Sequence, residues 1–185
     1  MRVELATVAD LQPVRAVYAE GRARQREQGS TVWPAFSDEA ILGEIAAQHL
    51  FRVMDGDALA GVFSVAYEDG AIWGGRERGA HIYLHRIVRA SGYRGHGLVD
   101  VVLDWAHAHC RALGREGLRM DTWADNTSLI AYYQRLGFEQ VESKRLGEDS
   151  RLPSHYHGLE FALLEQSLRD KRRGRAVDAS VAEGG

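Results

Sequence analysis

The sequence predicts an α/β protein whose central layer is a mixed sheet. Short runs rich in β-branched and aromatic residues alternate with longer segments in which apolar residues recur at helical spacing, in the order β-α-α-β-β-β-α-β-α-β-β. Of the 185 residues, 45% are hydrophobic and 26% are charged, which is typical of a globular chain that can bury a sizeable core. No repeat or linker divides the chain, so we expect one domain over residues 1–168.

The N-terminal third begins with a strand and continues with two helices. The first residues alternate polar and apolar side chains, and the segment from Thr7 resembles a helix-capping sequence. Apolar residues then recur at helical spacing as far as a break at Gly29. Ser37 is placed to cap a second helix. The connection between the two helices carries two aromatic residues, Trp33 and Phe36.

A hairpin and a third strand follow. Residues 50–54 and 58–67 have strand composition, and the turn Asp55-Gly56-Asp57 separates them. Residues 68–79 are rich in glycine and charge, which predicts a loop or a short irregular strand. Residues 81–88 form an extended β-branched and aromatic segment, which predicts another strand.

A glycine-rich turn joins that strand to a long helix. Gly95 and Gly97 have no Cβ, so their backbone can approach an anion closely, and Arg94 adds a positive charge. The first turn of a helix also presents N–H groups that have no partner inside the helix. The turn therefore predicts an anion site. The helix is predicted to bury one face formed by Leu98, Val101, Val102, Trp105, His109 and Leu113.

The commonest phosphate-binding loops do not fit this turn. A P-loop ends in Gly-Lys-Ser/Thr, whereas Gly97 is followed by Leu98 and Val99. A Rossmann fingerprint needs a third glycine three residues after the second, where this chain has Asp100. A strand-to-helix turn can also contain two glycines without binding anything.

The C-terminal third continues with strands and one helix. Residues 118–123 have strand composition, a helix begins near Asn126, and two strands follow Phe138, the last over residues 157–164. Residues 169–185 are polar, with arginine and lysine clustered at their start, which predicts a disordered tail. RNA binding by that basic cluster is the alternative.

Charge and cysteine content exclude several classes of protein. A net charge of −3 gives no broad electrostatic reason to bind nucleic acid or an anionic membrane. The single Cys110 cannot form an intramolecular disulfide, and no signal peptide or long apolar run is evident. We therefore expect a cytoplasmic protein with neither nucleic-acid nor membrane partners.

Two motifs resemble those of the GNAT superfamily of acyl-CoA N-acyltransferases. The pyrophosphate loop of that family reads Gln/Arg-x-x-Gly-x-Gly/Ala after the fourth strand, and here it is Arg94-Gly95-His96-Gly97-Leu98-Val99. Val99 stands where the family usually has glycine or alanine. The second pattern is Asn-x-x-Ala-x-x-φ-Tyr-x-x-x-Gly-Phe, which matches from Asn126 to Phe138, with Leu129 in place of the common alanine.

The resemblance implies a mostly antiparallel sheet with helices on both faces and acetyl-CoA as the acyl donor. The backbone of Ile87 and Val88 would hydrogen-bond the pantetheine amides like an added strand, and the glycine turn would hold the pyrophosphate. Asn126 would contact the pantetheine or its phosphates while also capping its helix. The implied cofactor-binding residues are Ile87, Val88, Arg94, Gly95, His96, Gly97, Leu98, Val99, Asn126 and Tyr133.

The implied reaction moves an acetyl group to an amine by direct attack on the thioester. Tyr133 matches the family tyrosine that protonates the departing thiolate, and a phenol with a pKa of about 10 keeps its proton at working pH. Its place four residues after Leu129 is equally compatible with a core-facing aromatic residue. The N–H of Val88 would stabilise the thioester oxygen. No motif fixes the base: His85 and Asp121 are the candidates, acting directly or through water.

The acceptor is expected to be a small-molecule or peptide amine. A homodimer is one possible assembly of the protein. In the resembling family the connection that holds Trp33 borders the acceptor pocket, although Trp33 could instead plug the core. Trp33, His85 and Trp123 are the predicted substrate contacts. The eight histidines suggest a metal hydrolase, but no His-Glu-x-x-His or cysteine pair supports one, so we expect no metal. The rival to catalysis is an acyl-CoA sensor, for which Val99 would mark an altered cofactor loop.

Overall fold

The computed structural model describes residues 1–147 and 157–168, in which seven strands form one sheet in the order β1-β2-β3-β4-β5-β7-β6. The strands are β1 (Arg2–Leu5), β2 (Leu50–Asp55), β3 (Ala58–Ala66), β4 (His81–Arg89), β5 (Gly117–Trp123), β6 (Glu139–Arg145) and β7 (Glu160–Ser167). The helices are α1 (Leu11–Glu27), α2 (Asp38–Ala46), α3 (Gly70–Trp73), α4 (Leu98–Ala112) and α5 (Thr127–Arg135). The tail predicted over residues 169–185 lies outside the described residues.

The predicted order of strands and long helices is confirmed, with one correction between β3 and β4. Residues 68–79 were predicted as a loop or an irregular strand, but they contain the short helix α3. Asp69 caps this helix, since its Oδ1 accepts a hydrogen bond from the Ile72 N–H at 3.3 Å. A four-residue helix has too few turns to show a hydrophobic period, which is why the sequence pattern did not predict it.

The sheet is mixed and mostly antiparallel, as predicted. Every neighbouring pair is antiparallel except β4 and β5, which run parallel. The β4–β5 pairing covers only three residue pairs, from His81 with Gly117 to Tyr83 with Arg119. Beyond this point β4 stays paired with β3, and β5 stays paired with β7, so the two halves of the sheet separate. We call this opening the β4–β5 gap.

Helices cover both faces of the sheet, which confirms the predicted layers. On one face α4 and α5 pack over a core that includes Phe63, Val102 and Tyr133. On the other face α1 and α2 pack over Val62 and Val88, and α3 covers Trp123 and its neighbours. We call these the α4–α5 face and the α1–α3 face. In the described parts of the chain, no helix is both long and apolar enough to cross a bilayer.

The buried face of α4 differs from the prediction. The residues that α4 buries are Leu98, Val102, Leu103, Ala106, His107 and Cys110. Leu113 lies just past the helix and is 47% exposed. Trp105 and His109 lie at the margin of the core, with their rings stacked 4.7 Å apart. The buried face of α4 therefore lies further round the helix axis than the predicted face. The prediction was misled because aromatic residues that border a core have the same periodicity as those inside it.

Candidate functional site

The β4–β5 gap opens into a cavity of about 1150 Å³. Parts of β4, β5, the glycine turn, α5 and the α1–α2 connection line it. The predicted site residues that line the cavity are Trp33, His85, Ile87, Val88, Gly95, Gly97, Leu98, Val99, Asp121, Trp123, Asn126 and Tyr133. Arg94 and His96 do not line it; both are exposed residues of the same turn. The structure thus brings together residues that are up to 100 positions apart in the sequence.

A β-bulge shapes the β4 side of the gap. Val62 pairs with Val88, but Ser64 pairs with His85, so β4 has one extra residue between these pairs. Arg86 occupies the bulge with φ of 51°, a left-handed conformation that a residue with a side chain rarely adopts. A bulge bends its strand and leaves a residue out of the ladder, which helps to separate β4 from β5.

The side chain of Arg86 holds the bulge in place. Its guanidinium forms an ion pair with Glu44 on α2 and donates a hydrogen bond to Ser64 Oγ at 3.1 Å. Ser64 in turn donates to the other Glu44 oxygen at 2.9 Å. The guanidinium also lies 5.0 Å from the centre of the Phe36 ring. These contacts offset the cost of the left-handed backbone. Sequence reasoning missed Arg86 because an arginine inside a strand gives no sign of a bulge.

An imidazole lies between two carboxylates on the α1–α3 face of the gap. His85 Nε2 is 3.5 Å from Asp69 Oδ2, and His85 Nδ1 is 3.5 Å from Asp121 Oδ1. Both carboxylates are 12% exposed, and the His85 side chain is 23% exposed. We call this group the Asp69–His85–Asp121 triad. Asp69 was not predicted; its only sequence signal is an acidic residue ahead of a short helix that was itself missed.

Burial controls the proton affinity of the triad. It lowers the pKa of His85, and the neighbouring Asp69 carboxylate opposes this change. Burial also raises the pKa of Asp69, and it raises the pKa of Asp121 to about 6. The carboxyl of Asp121 therefore titrates close to physiological pH, and an imidazole held between two carboxylates has a geometry that suits proton transfer. The ligand atoms lie within 4.8 Å of one another, so a metal ion could also bridge them; the absence of a metal stays a prediction.

Tyr133 reaches the gap from the other side. It lies on α5, is 8% exposed, and packs between Tyr132 and Phe138, with ring centres 5.4 and 5.8 Å away. Burial raises the pKa of Tyr133 well above its usual range, so the phenol keeps its proton at neutral pH. Tyr133 is a core aromatic residue that also lines the cavity, and its role as the acid stays a prediction. Tyr132 also lines the cavity.

The alternation of side chains explains why Tyr133 and the triad come from opposite faces of the sheet. Met120 in β5 packs into the α4–α5 core, so its neighbour Asp121 points to the α1–α3 face. His85 contacts Asp69 and Asp121 on that same face, whereas Tyr133 belongs to the α4–α5 core. In a closed sheet the backbone would separate these groups. The β4–β5 gap removes that barrier.

The glycine turn forms the expected anion cradle at the start of α4. Gly95 and Gly97 have φ of 78° and 69°, which explains why glycine is needed at both positions. The first backbone bond within α4 runs from the Val101 N–H to the Gly97 carbonyl at 3.1 Å. The N–H groups of Leu98 and Val99 thus have no acceptor inside the helix. Positive backbone dipoles and an open turn fit the pyrophosphate of a coenzyme A ester.

Two further residues, Asn126 and Val99, bear on how the cavity would hold a coenzyme A ester. Asn126 caps α5 through its Oδ1, which accepts from the Leu129 N–H at 3.2 Å, so its amide N–H groups are left to donate into the cavity. Val99 is half-buried, packs against the α4–α5 core and also lines the cavity. Part of the Val99 side chain is therefore accommodated by the protein itself.

Aromatic residues form the wall opposite the glycine turn. Trp33 is half-buried and packs against both cores of the α1–α3 face. Its backbone N–H is accepted by Gln25 Oε1 at 3.0 Å, and its carbonyl accepts from Arg22 at 2.9 Å. Trp123 is 7% exposed, and its ring centre lies 4.7 Å from that of Phe161. Both tryptophans thus pack in the core and line the cavity.

Comparison with known proteins agrees with this geometry. Residues 18–138 match the model of the acetyltransferase (GNAT) family. An uncharacterized N-acetyltransferase of Bacillus subtilis, YesJ, is 30% identical over an alignment of 122 residues, covering 62% of this chain and 68% of YesJ. Among solved structures, a GNAT acetyltransferase from Listeria monocytogenes has a TM-score of 0.71 at 21% identity, covering 90% of this chain and 94% of that one.

A second solved structure is that of yncA from Salmonella typhimurium, described with its cofactor acetyl-CoA. Its TM-score is 0.63 at 14% identity, and the alignment covers 91% of this chain and 94% of the yncA chain. At these identities the two solved structures support the fold alone.

Proposed function

The chain belongs to the GNAT acetyltransferase family, and we propose that it transfers the acetyl group of acetyl-CoA to a primary amine by direct attack on the thioester. Bound acetyl-CoA supplies the activated acyl group. The proposed work of the protein is to position the two substrates on opposite sides of the β4–β5 gap, to remove a proton from the amine and to return a proton to the leaving sulfur.

The proposed cofactor site runs along β4 to the glycine turn. The backbone of Ile87 and Val88 lies beside the gap, where β4 remains paired with β3 but has no partner on its β5 side. An extended pantetheine arm would complete this edge as an added strand does. The helix N-terminus at Leu98 and Val99 would hold the pyrophosphate, with Asn126 donating from α5.

The proposed chemistry divides between the two faces. His85 accepts a proton from the amine as the new N–C bond forms, and Asp69 and Asp121 stabilise the imidazolium that results. Tyr133 donates its proton to the sulfur as the C–S bond breaks. The Val88 N–H stabilises the negative charge on the acyl oxygen. The products are the N-acetylated amine and the free thiol of coenzyme A.

One observation carries this proposal. A protonated phenol from the α4–α5 face and an imidazole held between carboxylates from the α1–α3 face line the same cavity, at the point where the sheet opens. A binding protein for acyl-CoA needs the glycine turn and the β4 edge. It does not need a buried acid and a buried base on opposite sides of the acyl position.

The proposal can be tested by calorimetric titration with acetyl-CoA, followed by a panel of amines read out as free thiol. We expect micromolar binding of acetyl-CoA, abolished by Gly97→Glu, which places a carboxylate in the anion cradle. NADH and ATP serve as negative controls. Failure of every coenzyme A ester to bind would refute the cofactor site. Binding without thiol release from any amine would instead favour the acyl-CoA sensor.

A further inference from the structure

We infer that the acceptor is a primary amine on an apolar or aromatic carbon skeleton, with no carboxylate beside the amine. The inference rests on the proposed function and adds the substrate class. It comes from the distribution of charge and apolar surface in the half of the cavity that faces the α1–α3 side.

Negative charge is concentrated where the amine must arrive. Asp69 and Asp121 flank His85 at 3.5 Å each, and Glu68 lines the cavity beside them. An ammonium group entering this space meets carboxylates on both sides of the imidazole. This arrangement attracts the charged amine. Once the ammonium has released one proton to solvent, its neutral nitrogen lies next to His85, which takes the second proton as the N–C bond forms. A substrate carboxylate in the same space would be repelled.

The positive side chains of the cavity, within the described ranges, are in the wrong place to bind a substrate carboxylate. They are Arg24, Arg86 and Arg89. Arg24 donates to the backbone carbonyl of Arg89 at 2.7 Å, at the end of β4 that leads into the glycine turn. Arg24 and Arg89 therefore lie at the end of the cavity that is proposed to hold the cofactor. Arg86 is close enough to the triad for its charge to lower the pKa of His85 and of Asp121, but it is not available to a substrate carboxylate because it forms an ion pair with Glu44.

The walls around the triad are apolar. Trp33, Ile72, Trp123 and Phe161 line the same cavity and belong to the α1–α3 cores. A linear polyamine would need further carboxylates along these walls for its additional ammonium groups. Aromatic and aliphatic surface instead favours a hydrocarbon body, and ring faces also tolerate an adjacent cation.

The test compares matched pairs that differ only by one carboxylate: phenethylamine with phenylalanine, tyramine with tyrosine, and isoamylamine with leucine. Spermidine represents the polyamines. With acetyl-CoA saturating, we expect each amine to exceed its amino acid at least about 50-fold in kcat/KM, since like charges oppose the binding of the acid. Spermidine is expected to fall below the aromatic amines.

Asp69→Asn identifies the source of the preference. Asparagine keeps the Oδ1 that caps α3, so the helix is retained while the charge is lost. We expect KM for the amines to rise about tenfold, the amine-to-acid preference to fall, and the dissociation constant of acetyl-CoA to stay unchanged. Asp57→Asn is the matched control. It removes the same charge from the exposed β2–β3 turn, seven residues along the chain from Ser64, the β3 partner of His85.

The outcomes separate this inference from the proposed function. Loss of acetyl-CoA binding would refute the cofactor site and with it both proposals. If acetyl-CoA binds but amino acids or spermidine are acetylated as efficiently as the aromatic amines, the substrate class is wrong and acetyl transfer stands. Titration of the protein saturated with coenzyme A provides a readout independent of turnover. If phenethylamine neither binds there nor reacts, the inference is overturned.

Discussion

The Asp121→Asn substitution should stabilise the fold at pH 8 while lowering activity. Burial raises the pKa of Asp121 from its ordinary value of 3.8 to about 6 in the folded protein. Its Oδ1 is buried, and in the described structure it accepts no well-aligned hydrogen bond; its neighbour is His85 Nδ1 at 3.5 Å. Keeping this carboxylate ionised therefore lowers the free energy of unfolding. Asparagine has nearly the same shape and carries no charge.

The size of the effect follows from the pKa values in the two states. Because the folded pKa is the higher one, the folded state binds the proton more tightly and loses stability as pH rises from about 4 to about 6. Above pH 6 the full cost of the ionised carboxylate is present, about 3 kcal/mol. At pH 4.5 the same relation leaves about 1 kcal/mol. Removing the charge by Asp121→Asn should therefore raise the free energy of unfolding by about 3 kcal/mol at pH 8 and by about 1 kcal/mol at pH 4.5.

Urea unfolding of the wild type and Asp121→Asn at pH 8 and pH 4.5 measures both values. The variant should gain up to about 3 kcal/mol at pH 8 and clearly less at pH 4.5. Thiol release at pH 8 should fall, since His85 loses the carboxylate facing its Nδ1. A variant that is less stable than the wild type at pH 8, or a gain that does not change with pH, would show that Asp121 is not a strained carboxylate.

Three further predictions concern the same site. Tyr133→Phe should lower kcat about 100-fold and leave acetyl-CoA binding within twofold, as measured by thiol release and calorimetry; an unchanged kcat would exclude this phenol as the acid. Glu44→Ala should destabilise the protein by about 2 kcal/mol in urea, because Arg86 and Ser64 lose their acceptor. The exposed Glu39→Ala on the same helix is its control and should change stability by less than about 0.5 kcal/mol. Finally, kcat should fall as the pH drops through about 6, because Asp121 takes up a proton there and His85 loses the charge facing its Nδ1; a flat profile down to pH 5 would exclude a role for ionised Asp121.

Motifs with a local physical cause were predictable from the sequence. The glycine turn and the Asn126 cap each follow from a few consecutive residues, and the structure forms both as expected. The order of long elements was equally accessible, because apolar periodicity distinguishes strands from helices over ten residues or more. Ser37 caps α2 through a hydrogen bond from the Ala40 N–H at 3.1 Å, as its position predicted.

The base side of the site could be predicted only in part. His85 and Asp121 were candidates because they lie on the strands expected to flank the acyl group, but their contact depends on where β4 bulges and where β4 and β5 separate. Neither event has a local signal, since Arg86 adopts its left-handed backbone through side-chain contacts with α2 and β3. Asp69 was missed because it comes from α3, which is too short to show a period.

The incomplete pairing of β4 and β5 has a consequence for the state of the protein in solution. Beyond Tyr83 and Arg119 each of these strands has an unpaired edge inside the sheet. Unpaired edges are where strands of other molecules add, so they are starting points for aggregation. A ligand that lies along β4 covers one of these edges. A bound acyl donor would then protect the protein against edge-to-edge association, in addition to supplying the acetyl group.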